Sequence, residues 1–176
     1  MERQRRADAT RSITRLTATA REVFAERGHH VALDEIARRA GVGNATLYRH
    51  FPTRGDLLVA VYAEEVRALA GHGTDLLTAP DPAAAVLEWL DAFVVHVVTK
   101  SVLVQDASAG GEFFADWHHT MISTAEALLT RAQNQATVRR EVAARDLLAV
   151  AHGAALAGED LPGSQRLLRL AWQGVH

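Results

Sequence analysis

The chain has 176 residues, no cysteine and a formal net charge of −2; it is long enough for a substantial core and can form neither a disulfide framework nor a thiolate metal site. The near-neutral total hides an asymmetry, because residues 1–55 carry 11 arginines against 6 acids while the remainder carries 8 Lys or Arg against 15 acids. The first third therefore suits a polyanion and the rest would be repelled by one. Ala, Leu, Arg and Glu dominate, and β-branched and aromatic residues are sparse in most windows, which predicts an all-α fold. No apolar run approaches the roughly 20 residues of a membrane span. The charged start, Met1 to Arg6, lacks the apolar stretch of a secretory signal, so a cytoplasmic location is expected.

Ile13, Leu16, Ala20, Val23 and Phe24 fall on one face at helical spacing and Gly28 stands where a left-handed cap belongs. A second short helix is written by Leu33, Ile36, Ala37 and Ala40, with Asp34 and Glu35 in its first turn and Gly41 past its end. The turn Gly41-Val42-Gly43 leads to Asn44, an N-cap candidate, and a third helix through His50. Pro52 ends it, and Thr53-Arg54-Gly55-Asp56 has the form of a capping box that opens helix 4. Leu57, Leu58, Val61, Tyr62, Val66 and Leu69 give helix 4 its buried face, and Gly71 and Gly73 interrupt the pattern as a bend or weak point. Asp81-Pro82 begins helix 5; residues 99–111 read as an irregular piece, and a long helix is expected from Glu112 to about Gln135. The last two helices are expected at Ala144 to Ala157 and Gly163 to Gln173.

Two short helices joined by a glycine-containing turn with basic flanks are a candidate helix-turn-helix. The run LDEIARRAGVGNATLYRHFPTRGDLL, Leu33 to Leu58, resembles the signature of the TetR (tetracycline-repressor) family, and the likeness extends over roughly residues 11–69. Within that family, GVGNATLYRHFPTR, the arginine spacing around Val138 to Leu148 and Arg166-Leu167-Leu168 resemble the SbtR-like branch. The resemblance implies a DNA-binding domain over 1–55, with helix 4 continuing to about 78, and an effector-binding and dimerisation domain over 56–176.

Carried onto this chain, the family pattern makes Asn44 to His50 the recognition helix, held from inside by Val42, Leu47 and Phe51. The DNA-binding set is then Gly43, Asn44, Ala45, Thr46, Tyr48, Arg49, His50 and Arg54. Asn44 has the chemistry to pair with adenine, and Arg49 that for guanine or a phosphate. Thr46, Tyr48 and His50 fall at backbone-contact positions, with Arg54 and the start of helix 4 as a further phosphate clamp. Gly43 stands where serine is usual and removes one hydroxyl. Arg3, Arg5 and Arg6 form either a minor-groove arm or a solvated tail.

In the second half, Trp89, Phe93, Phe113, Phe114, Trp117 and Met121, with His96 and His118 as polar neighbours, read either as an effector pocket or as plain core. His118 and His119 face about 100° apart on a helix and cannot easily share one ion, so no metal and no cofactor is expected. The Ala- and Gly-rich stretch Leu147 to Gly158 and the bulky Leu167, Leu168, Leu170, Ala171 and Trp172 suit either a homodimer interface through the last two helices or intrachain packing. The resemblance implies a repressor whose double-stranded, palindromic operator is released when a small-molecule effector displaces helix 4, with Gly71 and Gly73 where that lever flexes; no nucleophile elbow, phosphate loop, metal motif or paired carboxylates argue for an enzyme. A helical interaction protein or an enzyme on the same scaffold is the alternative.

Overall fold

Apolar residues at helical spacing, punctuated by glycine, proline and aspartate, produce helices and nothing else among the described residues of the computed structural model, which are 2–28, 30–106 and 111–175. Eight helices follow in order: α1 (Glu2–Arg27), α2 (Leu33–Ala40), α3 (Asn44–His50), α4 (Arg54–Leu76), α5 (Pro82–Asp106), α6 (Gly111–Asn134), α7 (Ala144–Ala157) and α8 (Leu161–Trp172). They fall into two compact units. The first runs to Glu65 and takes in the end of α5 from Gln105; the second comprises Val66–Val104 and Gly111–His176.

In the first unit, α1 buries Leu16, Thr17, Ala20, Val23 and Phe24 and stops at Gly28, whose φ of +78° needs a residue without Cβ. Its backbone N–H closes the last turn on the Phe24 carbonyl at 3.0 Å. The basic segment expected as an arm continues α1 as helix from Glu2; the side chains of Arg3, Arg5 and Arg6 lie outside the described residues. The second helix buries Leu33, Ile36, Ala37 and Ala40 and ends at Gly41, φ +64°. There the N–H groups of Gly41 and Val42 donate to the Arg38 and Ala37 carbonyls at 3.1 and 2.9 Å, satisfying the orphan acceptors of a helix end. A bidentate pair from Arg39 to Glu26, at 2.6 and 2.9 Å, ties α2 to α1, and Arg27 pairs with Glu35 across the same seam.

One expected cap is corrected. Asn44 is the first helical residue, and the N-cap is Gly43, in extended geometry with φ −65° and ψ 143°. The Gly43 carbonyl accepts from the Thr46 and Leu47 N–H groups at 2.9 and 3.1 Å, so the helix begins one residue earlier than a side-chain cap at Asn44 would require. The expected box at α4 is present: Thr53 N–H and hydroxyl donate to Asp56 Oδ2 at 2.8 and 2.7 Å, and the Asp56 N–H returns to Thr53 Oγ1 at 3.2 Å.

In the second unit, α4 passes unbroken through both glycines, and they differ. A Cβ on Gly71 would meet nothing, whereas one on Gly73 would collide with Thr124 Cγ2 and lie 2.9 Å from Trp89 Nε1. Trp89 is fully buried, and its indole N–H donates to the Leu69 carbonyl at 2.9 Å. That carbonyl is the one an α-helix pairs with the N–H of residue 73, so the bare Cα of Gly73 is what lets the indole reach its second lone pair. Gly73 is a packing residue.

The irregular piece expected at 99–111 is corrected over 99–106, where α5 continues to Asp106. Residues 99–106 contain neither Gly nor Pro, and the Thr99 hydroxyl returns to the Val95 carbonyl at 2.8 Å. β-Branched residues cost only about 0.7 kcal/mol each in a helix, too little to end one; positions 107–110 lie outside the described residues. The expectation about membrane spans is corrected too. Over Pro82–Thr99 the mean hydropathy is 1.4 across 18 residues, long and apolar enough to cross a membrane by those measures, but half of that window is buried inside the protein, as in a core helix.

The last two helices form a hairpin. A Cβ on Gly158 would collide with Ser164 Oγ and lie 2.5 Å from the Ser164 backbone nitrogen, and Asp160 caps α8 by accepting from the Gly163 N–H at 2.7 Å. Ser164, fully buried, donates its hydroxyl to the Asp160 carbonyl at 3.0 Å.

These details generate two stability predictions. Gly73→Ala lowers unfolding free energy by about 1–3 kcal/mol through overpacking, whereas Gly71→Ala is neutral or raises it by up to about 1 kcal/mol; urea midpoints separate the two. Ala32, the N-cap of α2, is extended at φ −63° and ψ 137° with no side-chain cap bond, so Ala32→Ser raises stability by about 1 kcal/mol, visible as a higher thermal midpoint.

Candidate nucleic-acid interface and effector cavity

The third helix turns one face inward and one outward. Leu47 is fully buried and Phe51 nearly so, while Asn44, Ala45, Tyr48 and Arg49 are exposed and share a single arc of the helix. Thr46 and His50 lie half-buried on the other side. The sequence-predicted set thus separates into an outer group of four, a flanking pair, and the cap Gly43, which is exposed and has open space around its Cα.

Arg49 makes no hydrogen bond or ion pair among the described residues. This distinguishes it from Arg27 and Arg39, which are neutralised by Glu35 and Glu26. The Glu26 carboxyl is held below its ordinary range by its hydrogen bond from Arg39. Tyr48 is 45% exposed, yet its hydroxyl donates to Asp34 Oδ1 on α2 at 3.1 Å. That carboxylate, by accepting the hydrogen bond, pushes the phenol above the usual tyrosine range. Asp34 was missed by sequence reasoning because an acid in the first turn of a helix is already explained by the dipole.

Arg54, at the start of α4, donates from Nη1 to the Val31 carbonyl at 2.7 Å, which fixes its stem and ties the loop before α2 to the start of α4. His50 stacks at a tilt on Phe51, ring centroids 6.5 Å apart. Its Nε2 is buried without a hydrogen-bond partner among the described residues, so any outward contact from this ring would use Nδ1.

The second unit holds a cavity of about 320 Å³ lined by Phe93 of α5, Trp117, His118, Met121 and Ile122 of α6, and Arg145, Leu148, Ala149 and His152 of α7. Four of the eight expected effector residues, Phe93, Trp117, His118 and Met121, are brought together there. Trp89 is committed to the core through its bond to Leu69. His96 is buried beneath, 6.2 Å from the Trp117 ring, and the side chains of Phe113 and Phe114 lie outside the described residues. The α7 contribution was missed; Arg145, Ala149 and His152, spaced by four and three, carry the helical-stripe signal that would have found it.

Residues 16–61 match the tetR family of bacterial regulatory proteins, and residues 81–176, more than half of the chain, match the C-terminal domain of SbtR-like transcriptional regulators. The chain is 48% identical over 52 residues to the HTH-type transcriptional activator FasR of Mycolicibacterium smegmatis, covering 29% of this chain and 24% of that protein. It is 32% identical over 68 residues to an HTH-type transcriptional regulator of Staphylococcus aureus, covering 38% of this chain and 37% of that one. It therefore spans between a quarter and two fifths of the curated relatives it matches. Solved structures align over far more. A TetR transcriptional regulator from Streptomyces coelicolor is 32% identical with a TM-score of 0.77, covering 93% of this chain and 98% of its own. One from Mycobacterium vanbaalenii is 35% identical with a TM-score of 0.76, covering 97% and 98%. A basic helix-turn-helix followed by a helical second unit, matched along both parts and aligned almost end to end with such regulators, makes this chain a member of the TetR family of bacterial transcriptional regulators.

Proposed function

We propose that the protein is a cytoplasmic, dimeric repressor that reads a palindromic operator through α3 and releases it when a small molecule enters the cavity of the second unit. The observation that carries the DNA reading is the outward arc of α3, where Arg49 is exposed and uncommitted beside Asn44 and Tyr48. Arginine and asparagine can pair bidentately with guanine and adenine in the major groove, and Thr46, His50, Arg54 and Gly43 flank them for backbone contact. FasR is named as an activator, which makes activation the second reading for the sign of regulation.

The dimer reading draws on α7 and α8. Leu156, Leu170 and Val150 are 64%, 56% and 44% exposed, and Gly153 in mid-helix α7 has nothing within 4 Å of where a Cβ would stand. A helix-interior glycine costs roughly 1 kcal/mol, and no contact among the described residues explains this one. Close approach of the same face on a second copy does. A two-fold pairing would then present two α3 helices to successive major grooves, about 34–36 Å apart.

Selection from random duplexes should therefore yield a palindrome. Arg49→Ala is expected to weaken the selected site by about 1–3 kcal/mol and relax one base position if it reads guanine, or to weaken all sequences alike and flatten the salt dependence by about one unit if it holds a phosphate; no change in either would remove Arg49 from the interface. A Leu156→Glu, Leu170→Glu double variant should sediment as a folded monomer and lose high-affinity operator binding, whereas an unchanged dimer would place the interface elsewhere.

A further inference from the structure

We propose that the effector cavity takes a small apolar acid, with the Arg145 guanidinium as the group that selects its carboxylate. This rests on reading the cavity as the effector site and adds the chemical class of what enters it. The walls are Phe93, Trp117, Met121, Ile122, Leu148 and Ala149, and the exposed lining is almost wholly apolar. At about 320 Å³ it stands near the lower end of the range for small-molecule sites, roughly 300–1,000 Å³.

The polar side chains on that lining are Arg145, His118 and His152. All three are basic, and no carboxylate is among them, so among the described residues the only charge the lining offers a ligand is positive. Arg145 has no fold-stabilising reason to be where it is. It is the second residue of α7, where a cation opposes the positive end of the helix dipole, and it makes no hydrogen bond or ion pair among the described residues. The nearest acids in sequence, Asp146 and Glu141, are exposed and outside the lining. A guanidinium with its donors free beside an apolar chamber matches the planar, two-oxygen head of a carboxylate whose body fills the chamber.

The test uses the full-length protein and three probes of one length below their micellar concentrations: octanoate, 1-octanol and octylamine. Calorimetric titration should give octanoate at least about tenfold tighter binding than either analogue, the size expected of one charge-assisted hydrogen-bonded pair. Arg145→Gln should erase that preference while leaving octanol binding as it was. Arg145 is exposed and uncommitted, so this variant keeps the fold. Ala149→Trp, on an exposed position of the lining, should block all three probes. If octanol or octylamine binds as well as octanoate and Ala149→Trp blocks both, the acid class is overturned and the cavity survives as the effector site. If Ala149→Trp leaves binding intact, or no probe binds, both readings fall.

Discussion

A helix of seven residues cannot hold itself together in water, and α3, on which the proposed DNA contacts depend, has only seven. Its geometry must be imposed from outside. Leu47 inserts fully into the core of the first unit, Phe51 closes it behind, and the Gly41 turn sets its exit from α2. The capping box of Thr53 and Asp56 and the bond from Arg54 to the Val31 carbonyl fix the chain on the far side. None of these groups needs to touch DNA for its loss to disturb what the outer arc can reach.

The net positive charge of the first third overstates what that surface presents. Acids on α1 and α2 consume Arg11, Arg27 and Arg39, and such exposed pairs contribute little to stability, about 0–1 kcal/mol each. Their larger effect is to thin the field of free cations; Arg49, the one arginine of α3, is not among those consumed. A basic region is drawn to a polyanion electrostatically, and contact with bases or phosphates calls on cations that are not already paired.

Helix ends were legible in the sequence because particular residues write them. Gly28, Gly41, Pro82 and the Thr53 box each have one physical meaning, and the ends of α1 and α2 and the starts of α4 and α5 follow from them. Where punctuation is absent the reading fails. The run Thr99 to Asp106 looks unlike a helix by propensity, but nothing in it breaks one, and it continues α5. Side-chain destinations were less legible than boundaries. Trp89 and Phe93 are four apart on one helix and look equivalent, yet the indole is drawn to the Leu69 carbonyl and the phenyl ring to the cavity, a difference set by the missing Cβ of Gly73 on another helix. The tie between Asp34 and Tyr48 spans 14 positions, beyond any local pattern.

That tie also bears on how specificity can be moved between proteins of this kind. The outer arc of α3 looks like a self-contained cassette, and exchanging it for that of another regulator would seem to transplant sequence preference. Here one of its side chains is anchored by a carboxylate on the preceding helix, so a transplanted arc lacking the phenol would leave Asp34 without that hydrogen bond. On the proposed DNA reading the unit to graft is therefore the pair of helices together with their turn, because position 34 holds a side chain of the arc although it need never meet a base.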